Sequence, residues 1–170
     1  MEPHSIFFHH KYYMKTIDTI YLDMDGVLVD FRGGCEKLSA IEGFKVDWET
    51  VHSEGPEFWS NLDWTKEGKR FYYWLEKYCD ENDIELCILS SVNYDDGITG
   101  KLEWLRNNCR IPSKNIYIVK TGKDKAKYAS EKSLLIDDYG KNIKSFIMAG
   151  GKGIKFDSAG QVRQELLKLG

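Results

Sequence analysis

The chain has 170 residues, 42% of them hydrophobic and 14% aromatic, which suits one compact domain with a small insertion and excludes two full-sized domains. Five Trp, ten Tyr and eight Phe supply core material that a disordered chain lacks. With 24 basic against 27 acidic residues and a net charge of −3, nothing resembles the basic stripe that grips long nucleic acid, and no apolar stretch approaches the roughly 20 residues of a membrane span.

Taken in chain order, the opening MEPHSIFFHHKYY lacks the apolar region and cleavage site of a secretory signal. Met14 directly precedes KTIDTIYLDMDG, so residues 1–13 read as a leader, an appended remnant or the product of an upstream start, and their His4, His9 and His10 are not expected to bind metal. Ile17–Leu22 (IDTIYL) is β-branched and apolar and runs into an acidic, glycine-containing turn, the pattern of a buried strand. Further strands are predicted at Glu85–Ser90, Asn115–Val119, Ser133–Ile136 and Gly153–Phe156. Helices are predicted at Ile98–Asn108, with Leu102 and Leu105 inward, at Asn142–Ala149, and at Ser158–Leu169, where Ser158 and Gln161 form a capping box. Strands alternating with helices imply a parallel sheet with right-handed crossovers.

Residues 31–83 break that rhythm. The segment is too long for one crossover and shows no clear strand; helices are expected near Gly33–Ile41 and Lys66–Cys79, with an irregular stretch at Gly55–Trp64. It reads as a small helical cap inserted after strand one, with residues 14–30 and 84–170 as the core domain. The four cysteines, Cys35, Cys79, Cys87 and Cys109, form no CxxC pair, which points away from a zinc knuckle and towards a reducing compartment, with the cytoplasm as the expected location.

In an open parallel sheet, ligands bind at the carboxyl ends of the strands, near the point where strand order reverses. Polar residues gather at those ends: Asp23 and Asp25 after strand one, Ser90 and Ser91 at strand two, Lys123 and Lys125 after strand three, Asp137 and Asp138 after strand four. Four carboxylates at buried strand ends repel one another unless a cation sits among them. Mg2+ fits, because it takes oxygen ligands and is usually held by a few carboxylates plus a substrate phosphate. Other conspicuous residues have plainer readings. Asp30 is a cap or hinge residue, Asp95-Asp96-Gly97 a turn, and His52 a loop histidine with nothing to pair with. Lys123 and Lys127 are solvated charges, and Phe71-Tyr72-Tyr73-Trp74 is packing on a helix.

These residues carry a family resemblance. DMDGVLVDF at 23–31, ILSS at 88–91, Lys125 in KDKAKYA and LLIDD at 134–138 resemble, in order, motifs I to IV of the haloacid dehalogenase (HAD) phosphatases, across about 115 of the 170 residues. The extension DMDGVLVDFRGG, EFWSNLDW at 57–64 and KLEWLRNN at 101–108 are similar to the 5′(3′)-deoxyribonucleotidases. Two features depart from that pattern: Trp64-Thr65-Lys66 replaces a Pro-rich link, and about two residues are added between Lys125 and Asp137. The resemblance implies a HAD-like Rossmannoid three-layer α/β sandwich, with a parallel sheet, that hydrolyses nucleoside monophosphates with Mg2+. Asp23 would be the nucleophile, Asp25 the acid and base, and Lys125 the screening cation. Ser90 and Ser91 would hold the phosphoryl group, and Phe31 and Trp59 the base. The metal would sit on Asp23, the Asp25 carbonyl and one or both of Asp137 and Asp138. Alternatives are another small phosphate ester or a nucleic acid 3′-phosphate end as substrate, and a phospho-accepting or inactive binding module.

Overall fold

The computed structural model describes residues 15–169. The leader reading of residues 1–13, its three histidines included, lies outside them. Five parallel strands form the central sheet: β1 (Thr19–Leu22), β4 (Glu85–Ser91), β5 (Ile116–Val119), β6 (Ser133–Asp137) and β7 (Lys152–Lys155), in the order β5-β4-β1-β6-β7. All five fall where β-branched, apolar runs predict them. After β1 the chain builds outwards through β4 and β5, then crosses back to lay β6 on the other side of β1 and β7 beyond it. Strand order therefore reverses at β1, and the crevice such a reversal leaves opens above β4, β1 and β6.

Period-two alternation sends side chains to both faces of the sheet. Ile20, Leu22, Ile88 and Ile136 enter the larger core with Phe71 and Leu75 of α4 (Gly68–Glu81), Trp104 and Leu105 of α5 (Asp95–Asn108), and Val162 and Leu166 of α7 (Ala159–Leu169). Leu89 and Leu135 turn the other way, onto Ile143 and Phe146 of α6 (Gly140–Met148). Covering both faces gives the three-layer α/β arrangement. The α7 start carries the expected capping box: the Gln161 amide donates to Ser158 Oγ (3.1 Å), and the Ser158 amide donates to Gln161 Oε1 (3.3 Å). Among the described residues no helix is long and apolar enough to cross a membrane.

Between β1 and α4 lie α1 (Phe31–Lys37), a two-stranded hairpin of β2 (Ile41–Glu42) and β3 (Lys45–Val46), α2 (Trp48–Ser53) and α3 (Pro56–Ser60). The hairpin runs against the expectation of a segment without strands, α2 is a helix where none was expected, and α3 occupies the stretch expected to be irregular. Asp30 is the N-cap of α1, accepting from the Gly33 amide at 3.0 Å. The excursion leaves and returns at one place. The Asp30 amide donates to the Asp63 carbonyl (2.9 Å), the Thr65 amide to the Leu28 carbonyl (2.8 Å), and Thr65 Oγ1 to the Val27 carbonyl (2.8 Å). Helix α4, also within 31–83, lies against the sheet with its buried residues in the main core.

Helix α5 starts at Asp95, so Asp95-Asp96-Gly97 is its first turn and not a separate turn. Its inward face also differs from expectation. Leu105 is buried, but Leu102 is 41% exposed, and the buried positions are Gly97, Gly100, Lys101, Trp104 and Leu105. The reason is close approach. A Cβ on Gly100 would sit 2.3 Å from the Pro56 carbonyl oxygen and 2.5 Å from Trp59 Cβ, and one on Gly97 would sit 2.3 Å from Val92 Cγ2. The glycine face lets α3 seat directly on α5, which turns Leu102 outwards.

Candidate active site

The turn after β1 is set by hydrogen bonding. The Met24 carbonyl accepts from the amides of Val27, Leu28 and Val29 at 2.8–3.1 Å, and Gly26 takes φ +77°, a conformation L side chains rarely adopt. A Cβ on Gly26 would sit 2.0 Å from Asp138 Oδ2, so glycine there also admits the Asp138 carboxylate. The Asp23 amide donates to the Ile136 carbonyl (3.0 Å), which ties the first acid to β6, the strand that ends on Asp137 and leads into Asp138.

Lys125, 1% exposed, lies at the centre of this group. Its Nζ is 2.9 Å from Asp23 Oδ1 and 2.7 Å from Asp137 Oδ2. Asp137 is fully buried and also accepts from Asn142 Nδ2 (3.0 Å) and the Tyr139 amide (2.9 Å). The lysine rides on a 3-10 segment, Gly122–Tyr128, opened by a Thr121–Asp124 capping box. Gly122 lets that segment rest against Asn142, where a Cβ would fall 2.4 Å from Oδ1. Burial pushes the Asp23 carboxyl well above its usual range; Lys125 opposes the rise, and Asp137, Asp25 and Asp138 add to it. Burial alone would lower the Lys125 ammonium, but the Asp23 and Asp137 carboxylates outweigh it and hold it above its ordinary value. Asp138 is pushed up to about 6 by burial and then by Asp137. One carboxylate oxygen each from Asp23, Asp137 and Asp138 falls within 4.8 Å of the others. Three hard oxygen donors this close, two of them paired with one lysine, suit a divalent cation such as Mg2+.

The Asp25 carboxylate stands outside that trio. Its Oδ2 is 2.6 Å from Nζ of Lys101, which is itself 2.8 Å from Ser90 Oγ and 4.9 Å from the Trp59 ring centroid. Beside Asp25 opens a cavity of about 530 Å³ lined by Phe31, Trp48, His52, Trp59, Ser91 and Tyr94, with Val92 and Asn93. Phe31 stacks on Trp59 (5.2 Å, 13°) and on Trp48 (5.8 Å, 24°), and Trp59 Nε1 donates to the Tyr94 hydroxyl at 3.0 Å.

No protein-family model and no curated protein sequence matches the chain. Solved structures do. A hydrolase from Streptococcus pneumoniae TIGR4 superposes with a TM-score of 0.53 at 14% identity, covering 90% of this chain and 99% of its own. A Bacteroides vulgatus protein described as a candidate beta-phosphoglucomutase gives 0.57 at 12%, covering 94% and 91%. The L-2-haloacid dehalogenase of Xanthobacter autotrophicus gives 0.51 at 10%, covering 89% and 83%. The chain shares the HAD-like three-layer α/β fold of these structures.

On this HAD-like sheet, Asp23, Asp25, Ser90, Lys125, Asp137 and Asp138 converge at the strand-order reversal, and Ser91, Phe31 and Trp59 line the adjoining cavity. Trp59 is 3% exposed, with Phe31 and Lys101 against it, whereas Trp48 is 47% exposed. His52, expected to stand alone, has its ring centroid 3.9 Å from that of Tyr94 and lines the cavity, because α2 brings it there. Lys127 pairs with Asp124 at the surface, as befits a solvated charge. Lys101 was not among the expected site residues, since a lysine on an amphipathic helix ordinarily faces water. The one available signal was Gly97-x-x-Gly100 directly before it, a small-residue face that places its neighbour inward.

Proposed function

We propose that the chain is a Mg2+-dependent phosphomonoesterase that works through an aspartyl-phosphate on Asp23 and takes a nucleoside monophosphate, with a deoxyribonucleotide favoured. The observation that carries this reading is Lys125 Nζ bridging Asp23 and Asp137, with Asp25 held apart from both by Lys101. Two acids two residues apart thus have separate environments, which suits separate roles.

An Asp23 oxygen attacks phosphorus while the ester P–O bond breaks, its electron pair leaving with the alcohol oxygen. Asp25 gives that oxygen its proton, then takes one from the water that hydrolyses the acyl phosphate. Lys125 screens the repulsion between carboxylate and phosphate, and the hydroxyls of Ser90 and Ser91 hold the phosphoryl oxygens. Asp23, Asp137 and Asp138, with the Asp25 carbonyl, would hold Mg2+, which supplies further charge neutralisation at the phosphoryl group.

We take the cap to be the excursion between Asp30 and Trp64, shorter than the expected 31–83 because α4 packs into the main core, and its aromatic side walls the leaving group. A planar base suits a cavity whose exposed aromatic faces belong to Phe31, Trp48 and Tyr94, with Trp59 backing the wall. A phosphate-release screen over nucleotides, sugar phosphates and p-nitrophenyl phosphate, with and without Mg2+, tests the reading. Selective release from nucleoside monophosphates is the expected result. Release from sugar phosphates alone would leave the phosphatase and remove the nucleotide.

A further inference from the structure

We propose that Lys101 is a positioning residue of the reaction centre, one that assigns hydrogen-bond roles to the Ser90 hydroxyl and the Asp25 carboxyl at once. The inference rests on the phosphomonoesterase reading above and adds a second lysine to it.

The argument is one of donors and acceptors. Lys101 is 1% exposed, and its ammonium lies 2.6 Å from Asp25 Oδ2 and 2.8 Å from Ser90 Oγ. An ammonium has three N–H donors and no acceptor. Ser90 Oγ therefore accepts from Lys101, and the single Ser90 proton must be given elsewhere. At Asp25, Oδ2 is taken by the same ammonium, while Oδ1 is buried without a hydrogen-bond partner among the described residues. A proton carried by Asp25 consequently sits on Oδ1, because Oδ2 faces a group that cannot accept one. The site is left with one hydroxyl that must donate and one carboxyl oxygen that must exchange a proton. A phosphate ester offers the complement, with phosphoryl oxygens to accept from Ser90 and an ester oxygen to take the Asp25 proton as its bond to phosphorus breaks.

Lys101 is itself gripped. Trp59 lies 4.9 Å from Nζ, at cation–π distance, and Gly100 brings the α3 backbone close enough to put the indole there. Without the lysine, Ser90 could turn its proton onto Asp25 and remove both groups from service.

The test compares Lys101→Met and Lys101→Gln, alone and combined with Ser90→Ala, on phenyl phosphate and p-nitrophenyl phosphate with Mg2+. Methionine keeps the bulk and loses every donor; glutamine offers an acceptor as well as donors, so it no longer dictates polarity. On phenyl phosphate the expected fall in kcat is about 100-fold for Met and about 10-fold for Gln, at nearly constant KM. The loss is smaller on p-nitrophenyl phosphate, whose leaving group needs no proton. With Ser90 already Ala, either Lys101 change should cost several-fold less than it does alone, the non-additivity of groups acting as a unit. An unchanged kcat in either folded variant, losses that simply multiply, or equal losses on the two esters would overturn the proposal, and Gln carries the test if Met does not fold. Failure of the underlying reading looks different: the wild type would release no phosphate, or Asp23→Asn would still turn over.

Discussion

Gly100→Ala and Gly160→Ala are the same substitution in two helices, and the structure predicts opposite signs. Replacing a helical glycine with alanine normally stabilises by about 0.5–1 kcal/mol, because glycine loses more backbone freedom on folding. At Gly160, exposed in α7, an added methyl meets nothing within 4 Å, so the ordinary gain should appear. At Gly100 the same methyl lands 2.3 Å from the Pro56 carbonyl oxygen and 2.5 Å from Trp59 Cβ, where ordinary contact begins at 3.4 Å. Both obstacles move only if α3 backs away from α5 by about 1 Å, a strain that in packed interiors costs about 1–3 kcal/mol. After subtracting the propensity gain, a net loss of up to about 2.5 kcal/mol remains, or a fall in Tm of up to about 10 °C for a domain of this size. Thermal unfolding followed by circular dichroism, on both variants in one buffer, is sufficient to read it. A Gly100→Ala protein that melts at or above the wild type would refute the close-approach argument, and with it the reason given for the burial of Lys101.

Asp23→Asn should abolish steady-state phosphate release with Tm preserved; measurable turnover by the folded variant would remove Asp23 as nucleophile. EDTA should silence the enzyme and Mg2+ restore it, while undiminished release in metal-free buffer would exclude a metal role for the Asp23, Asp137 and Asp138 trio. Lys125→Ala should lose at least about 100-fold in kcat and Lys127→Ala almost nothing, since Lys127 reaches only Asp124 at the surface; comparable losses would show that burial at Lys125 serves folding alone. Phe31→Ala should cost nucleotides about 1–3 kcal/mol in kcat/KM and p-nitrophenyl phosphate much less. Equal losses on both would reduce the aromatic wall to cap packing.

The sheet and its acidic edge were legible because both are local signals. β1, β4 and β6 are largely apolar runs of four or more residues, and the acids follow β1 and close β6 directly. What escaped notice depends on tertiary contact. The hairpin β2–β3 has two residues on each side, and α2 and α3 have six and five, too short to show a period. Leu102 and Lys101 exchange their expected sides because the glycines, and not the apolar residues, choose which face of α5 is buried. His52 joins Tyr94 across more than forty residues, and no spacing rule connects them.

The stitching of Asp30 to Asp63 and of Thr65 to Leu28 and Val27 has a consequence for how this protein could change. The chain between those points begins and ends at one spot, so altering its length carries only a slowly growing closure entropy, while α3 within it must keep its seat on α5 with Trp59 against Lys101. The residues proposed to break the ester all lie outside that loop of chain, while Phe31, Trp48, His52 and Trp59 lie within it. A different wall could be transplanted between Asp30 and Gly55, ahead of α3, with Trp59 kept on Lys101 and the reacting edge left untouched. That division makes the segment the natural cassette for retargeting the protein to a leaving group of another shape.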